Sequence, residues 1–148
     1  MEYLLKVEVL VTGTFNIVHA GHVRLLEFAS RYGKVTVGIN ADPYLKIKYG
    51  DLAVPLVDRS YVLKSIKYVD SVIIFREDTP ESLVRKVRPR YYVKGPDYEL
   101  TSESLPELEA LQEVGAYPIV QPADKEYNSS ELVKALQPSV FDKLDKYG

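Results

Sequence analysis

The sequence predicts an α/β fold in which a five-stranded parallel sheet carries helices on both faces. Three observations lead there. Five short runs rich in Val, Ile and Tyr are bounded by Gly, Pro or Asp, as strands buried on both faces tend to be. The stretches between them place apolar residues at helical spacing. The two kinds alternate along the chain, as crossover helices joining parallel strands require.

The first run, "VEVLVTG", predicts a central strand over Val7–Val11, a loop over Thr12–Val18 and a helix from Ala20 or Gly21, with "GHVRLLEFASRYG" as its body and Gly33 as its stop. "KVTVGIN" is the second strand, and the basic stretch after it, with Lys46 and Lys48, reads most simply as a solvated loop. "DRSYVLKSIKYVD" is a helix, "SVIIF" the third strand and "TPESLVRKVRP" the next helix, with Thr79 as cap and Pro80 as first helical residue. "YYVKG", the helix "SESLPELEALQEVG" ending at Gly115, and "AYPIV" complete the sheet. Asn128 and Glu131 are spaced as a capping box for a last helix.

Bulk properties bound the function. The 148 residues fit one domain, 1–148, without a linker. Nineteen Lys and Arg against 21 Asp and Glu, with no basic block, argue against general nucleic-acid binding. The absence of cysteine removes thiolate nucleophiles, disulfides and thiolate zinc sites. Glu2, Lys6 and Glu8 interrupt the opening apolar stretch, which is too short and too charged for a signal or a membrane span. A soluble, cytoplasmic protein is expected.

Ligands of parallel sheets collect at the carboxyl ends of the strands, which is where "VTGTFNIVHAGHVRLLEFA" falls. Gly13 lets backbone approach a ligand, and the N–H groups of Thr14, Phe15 and the first helical turn can donate to phosphate oxygens. His19 and His22, three apart with Gly21 between, share one face of the helix entrance. They can serve a phosphate and the bridging oxygen of a leaving group, or simply finish a helix start. No third ligand at zinc-like spacing accompanies them, so no protein metal site is expected.

"GTFNIVHAGH" resembles the HxGH signature of the cytidylyltransferase-like nucleotidyltransferases. The resemblance covers nearly the whole chain, and "EDTP" leading into "VKGPDY" is similar to the adenylyltransferase domain of bacterial heptose-phosphate enzymes, more than to glycerol-3-phosphate cytidylyltransferases. It implies a Rossmann-like fold and a single nucleotidyltransferase domain. By the same resemblance His19 and His22 stabilise the pentacoordinate α-phosphate, and Lys48, with Lys46 as near competitor, neutralises triphosphate charge. Asp42, Lys46 and Arg59 fall on the acceptor side; Lys94, Gly95 and Asp97 on the nucleotide side. Ser129 and Ser130, at the start of the last helix, can hold the β- and γ-phosphates or merely cap it. Lys67–Asp70 resembles part of a two-fold interface, implying a homodimer.

Three departures from the family pattern stand out. Tyr127, Ser130 and Glu131 occupy positions where relatives carry Gly and Thr-Thr, Asp124 and Lys125 stand where glycerol-type enzymes have an arginine, and Asn16 replaces a common aspartate. The expected reaction is in-line attack of a sugar phosphate oxygen on the α-phosphorus of ATP, with Mg²⁺ held mainly by the nucleotide and pyrophosphate leaving. The alternatives are a cytidylyltransferase acting on a polyol phosphate and a catalytically silent nucleotide-binding subunit.

Overall fold

The computed structural model describes residues 7–77, 79–101 and 103–123, apart from the side chain of Tyr44. Five strands, β1 (Glu8–Gly13), β2 (Lys34–Asn40), β3 (Ser71–Phe75), β4 (Tyr91–Lys94) and β5 (Tyr117–Val120), pair in the order β3-β2-β1-β4-β5, all parallel. β1 is central, with Val9 opposite Val35 on one side and Tyr91 on the other.

Alternation along the strands divides the core in two. Val9, Val11, Val35, Val37, Ile39 and Val93 point to one face, where they pack on Leu26 and Ala29 of α1 (Ala20–Ser30) and Leu63 of α3 (Leu56–Lys64). Leu10, Phe75 and Tyr92 point to the other, against Leu83 and Val84 of α4 (Glu81–Val87) and Ala110 and Leu111 of α5 (Leu108–Val114). The expected sheet with helices on both faces is therefore present. Each Val, Leu or Ile side chain fully removed from water here contributes about 1.5–3 kcal/mol.

Several boundaries differ from the sequence reading for local reasons. The stretch read as a basic loop is helical: α2 (Asp42–Tyr49) has Pro43 in its first turn and ends at Gly50, and a 3-10 turn, Gly50–Leu52, leads on to α3. α3 begins at Leu56 and stops at Lys64, where the last turn tightens, with Ser65 N donating to Val62 O and Ile66 N to Leu63 O, and the chain folds back toward β3. Asp70 fastens that return: its N–H donates to Val35 O and its carboxylate accepts from Val35 N at 2.8 Å. Pro80 itself, not Thr79, caps α4. α5 starts only after Pro106, with Glu107 as N-cap, since a proline ring inside a helix removes a hydrogen bond and crowds the preceding turn.

Gly115 ends α5 in the left-handed conformation, φ 72°, as its position suggested. Gly33 has a different task. α1 stops at Ser30, and at Gly33, φ 157°, a Cβ would lie 2.2 Å from Val7 O, so only glycine permits this crossing of backbones. Among the described residues no helix is long and apolar enough to cross a membrane. The last predicted helix, with Asn128, Ser129, Ser130 and Glu131, lies outside the described residues.

Candidate active site

The strand order reverses direction at β1, which leaves a crevice between the carboxyl ends of β1 and β4. A cleft of about 360 Å³ occupies it. The structure brings Gly13, Thr14, Phe15, His19, Gly21, His22, Lys94, Gly95 and Asp97 to its lining.

The loop between β1 and α1 is held by its own residues. Phe15 sits at φ 47°, an unfavourable region for a side chain with Cβ, and is 4 % exposed. Its ring lies over Gly13, where a Cβ would approach Phe15 Cε2 to 3.0 Å, and 5.2 Å from the His22 ring. Asn16 donates from Nδ2 to Leu52 O at 3.0 Å and accepts through Oδ1 from Val54 N at 2.7 Å. Arg59, 1 % exposed, donates to Thr14 O, Val54 O and Asp42 Oδ1. Residues 52–56 are thus an ordered wall, completed by Leu56 N donating to Asp42 Oδ1.

The two histidines do cap the helix, and the capping determines their chemistry. His19 is the N-cap of α1, and its Nδ1 accepts from Gly21 N at 3.0 Å. His22, at the third helical position, accepts through Nδ1 from His19 N at 3.2 Å, closing a capping box built of imidazoles. A nitrogen that accepts from a backbone N–H carries no proton, so in each neutral ring the proton is on Nε2. Burial lowers the pKa of both, and for His22, with repulsion from His19 added, to about 4. The rings are tilted by 33° to one another with centroids 4.0 Å apart. At neutral pH the pair therefore offers two uncharged Nε2–H donors. The Gly21 N–H, expected for a phosphate, is occupied by His19.

Positive charge enters from β4. Lys94 is 7 % exposed, and its Nζ donates to Thr12 O and Thr12 Oγ1 at 3.2 and 3.1 Å. The Tyr98 ring centroid lies 4.4 Å from Nζ. Burial lowers the Lys94 pKa to about 8, opposed by the charge of Glu107, so the ammonium persists at pH 7.

Four expected residues do not line this cleft. Lys46 and Lys48 are exposed on α2, with Lys48 Nζ 5.3 Å from the Tyr49 ring centroid. Asp42 and Arg59 are paired at 3.1 Å and brace the wall. Arg24, Tyr98 and Gln121 do line the cleft but escaped the sequence reading. Arg24 follows Gly21 by three on the same helix face, and Gln121 follows β5 at its carboxyl end, so both carried a usable signal.

A profile of the family described as Cytidylyltransferase-like matches residues 10–143. The Bifunctional protein HldE of Aliarcobacter butzleri (strain RM4018) is 44 % identical over 95 residues, 62 % of this chain and 20 % of that protein. The Bifunctional protein HldE of Streptomyces coelicolor is 42 % identical over 113 residues, 74 % of this chain and 24 % of that protein. The chain thus spans about a fifth to a quarter of the length of these curated relatives. Among solved structures, the lipopolysaccharide core biosynthesis protein from Thermoplasma volcanium GSS1 superposes with a TM-score of 0.65 at 22 % identity, covering 83 % of this chain and 99 % of that one. Pantothenate synthetase from Thermus thermophilus gives 0.57 at 16 % identity, covering 94 % and 64 %. At these identities the likeness to solved structures is one of fold.

Proposed function

Because the chain belongs to the cytidylyltransferase-like family, we propose that its cleft is the active site of a nucleotidyltransferase, which joins the α-phosphate of ATP to a sugar phosphate and releases pyrophosphate. The observation that carries this reading is the imidazole pair, locked with both Nε2–H groups as donors in one cleft with Lys94. The acceptor phosphate oxygen attacks the α-phosphorus in line, and the bond to the bridging oxygen of pyrophosphate breaks. Negative charge grows on the oxygens around phosphorus and on that bridging oxygen, where fixed donors lower the barrier without moving.

In this reading His19 and His22 donate to the α-phosphate as it becomes pentacoordinate, and Lys94 neutralises phosphate charge. Backbone at Gly13, Thr14, Phe15 and Gly21 surrounds the nucleotide, with Gly95 and Asp97 toward the nucleoside. Lys48 and Lys46, exposed on α2 outside the cleft lining, are assigned to the outer end of the triphosphate and the acceptor by resemblance alone, while Asp42 and Arg59 act by holding the wall. Ser129 and Ser130 are assigned to the β- and γ-phosphates. Mg²⁺ accompanies the triphosphate and supplies further charge neutralisation. The cleft lining includes Asp97, whose carboxylate is available to a metal carried by nucleotide oxygens.

The acceptor we assign is a heptose 1-phosphate, D-glycero-D-manno-heptose 1-phosphate in particular. Similarity to the HldE proteins and the "EDTP" and "VKGPDY" blocks support it. A nucleoside triphosphate is a cytoplasmic reagent, and the cytoplasm is the compartment this reading requires. We assign a homodimer as well, through the Lys67–Asp70 segment, whose resemblance to part of a two-fold interface supports it.

Pyrophosphate release, measured with ATP or CTP against heptose 1-phosphate and glycerol 3-phosphate, tests the assignment. ATP with the heptose phosphate is the expected productive pair. Turnover with CTP and glycerol 3-phosphate alone would replace it by the cytidylyl reaction. Triphosphate binding without pyrophosphate from any acceptor would make the chain a silent subunit.

A further inference from the structure

Beneath the cleft a hydrogen-bonded chain leads away from Lys94 to a carboxylate that the reaction does not use. Glu107, 2 % exposed at the start of α5, accepts from the Tyr92 hydroxyl. Tyr92 Oη in turn lies 2.5 Å from Thr12 Oγ1, and Thr12 Oγ1 lies 3.1 Å from Lys94 Nζ. The direction of every proton follows. Tyr92 donates its hydroxyl proton to Glu107, and a phenol has only one, so toward Thr12 it must accept. Thr12 therefore spends its hydroxyl proton on Tyr92 and accepts from Lys94. All donors point from the ammonium to the carboxylate, an arrangement in which each bond polarises the next.

Such a chain is costly to keep without a purpose. A carboxylate 2 % exposed can often be replaced with little loss by an apolar residue where its charge is not needed. We propose that Glu107, acting through Tyr92 and Thr12, is a positioning residue that keeps Lys94 charged and fixed for the phosphates of a bound nucleoside triphosphate. This rests on the reading of the cleft as a triphosphate site. The groups facing the ammonium are Thr12 from β1, Tyr92 from β4, Tyr98 from the loop after β4 and Glu107 from α5, with Arg24 and Asp97 in the same lining. Burial in this setting disfavours the ammonium, and Glu107 is the group that opposes it.

The test follows the Lys94 side chain by NMR in full-length protein carrying labelled lysine, with Lys94→Arg identifying the signal. The wild-type midpoint should lie near 8. Glu107→Gln removes the charge and Tyr92→Phe breaks the chain without losing the ring, so each should lower the midpoint, by about one unit. Calorimetry with Mg-ATP supplies the second readout. Both variants should bind within about twofold of wild type at pH 6 and about fivefold more weakly at pH 8, where Lys94 keeps its proton in about half of the wild-type molecules and about a tenth of the variant ones. An unchanged midpoint in both variants, or binding weakened equally at the two pH values, would overturn the proposal. A wild-type protein that binds no Mg-ATP at either pH fails the triphosphate reading alone, because the midpoints still decide whether Glu107 governs Lys94.

Discussion

His22 at the start of α1 and Lys94 at the end of β4 face the same cleft, and burial lowers the proton affinity of both, yet they differ in charge at pH 7. The imidazole begins near 6.5 and falls to about 4, so it is neutral. The ammonium begins near 10.5 and falls to about 8, with Glu107 opposing the fall, so it stays charged. The same physical cost thus yields an uncharged donor on one wall and a cation on the other. A phosphoryl-transfer site needs both: fixed donors where charge develops, and net positive charge where the triphosphate rests.

The histidine wall offers the largest break in this comparison. His19→Asn keeps a side-chain oxygen for the Gly21 N–H, and His22→Gln keeps an acceptor at the third helical position, so each preserves the cap and removes only Nε2–H. Pyrophosphate release should fall about 10²–10³-fold in either variant. Stability by urea denaturation should stay within about 0.5 kcal/mol. Near-normal turnover would leave the rings as a helix cap and nothing more.

A smaller effect separates the two walls by pH. Because the folded-state pKa of His22 lies below the unfolded value of 6.5, the unfolded chain takes up the proton first as pH falls. Stability is therefore lost as pH drops below 6.5 and the loss levels off below about 4, reaching about 3 kcal/mol. Urea titrations at pH 7, 5.5 and 4.5 should show this slope in the wild type and a shallower one in His22→Gln. A slope unchanged by the substitution would assign the loss to other groups.

The smallest effect concerns the loop that supports the histidine wall. Asn16 both donates to Leu52 O and accepts from Val54 N, whereas an aspartate can only accept. Asn16→Asp should cost about 1–2 kcal/mol of stability, the penalty for a half-buried carbonyl left without its donor. Calorimetric unfolding that shows no loss would mean that Leu52 O finds another donor. The asparagine, a neutral replacement by sequence alone, is matched in this chain to the wall it binds.

Much of the fold was legible because it depends on local pattern. Runs of β-branched residues and helical spacing fix which segments are strands or helices, and their alternation leaves few topologies for a parallel sheet. The histidine pair was legible because its spacing and its place after a central strand are both local. Arg59 was not. Its isolated charge reads as a surface residue or an acceptor ligand, and only the packing of α3 against the loop after β1 shows that it is buried. Lys46 and Lys48 followed from family resemblance, and on α2 both are exposed and outside the cleft lining among the described residues.

Glu107 was the deepest omission. In sequence it is one acid among several in "SESLPELEALQEVG", and nothing local distinguishes it from Glu103, Glu109 or Glu113. By itself the sequence determined the sheet and its covering helices, and it pointed to the end of the first strand for the candidate site, since periodicity and backbone stereochemistry act over a few residues. Only the tertiary structure decided which nitrogen of each imidazole carries its proton, and which carboxylate stands behind Lys94. Those outcomes depend on hydrogen bonds and desolvation that exist only once strands and helices have excluded water from between them.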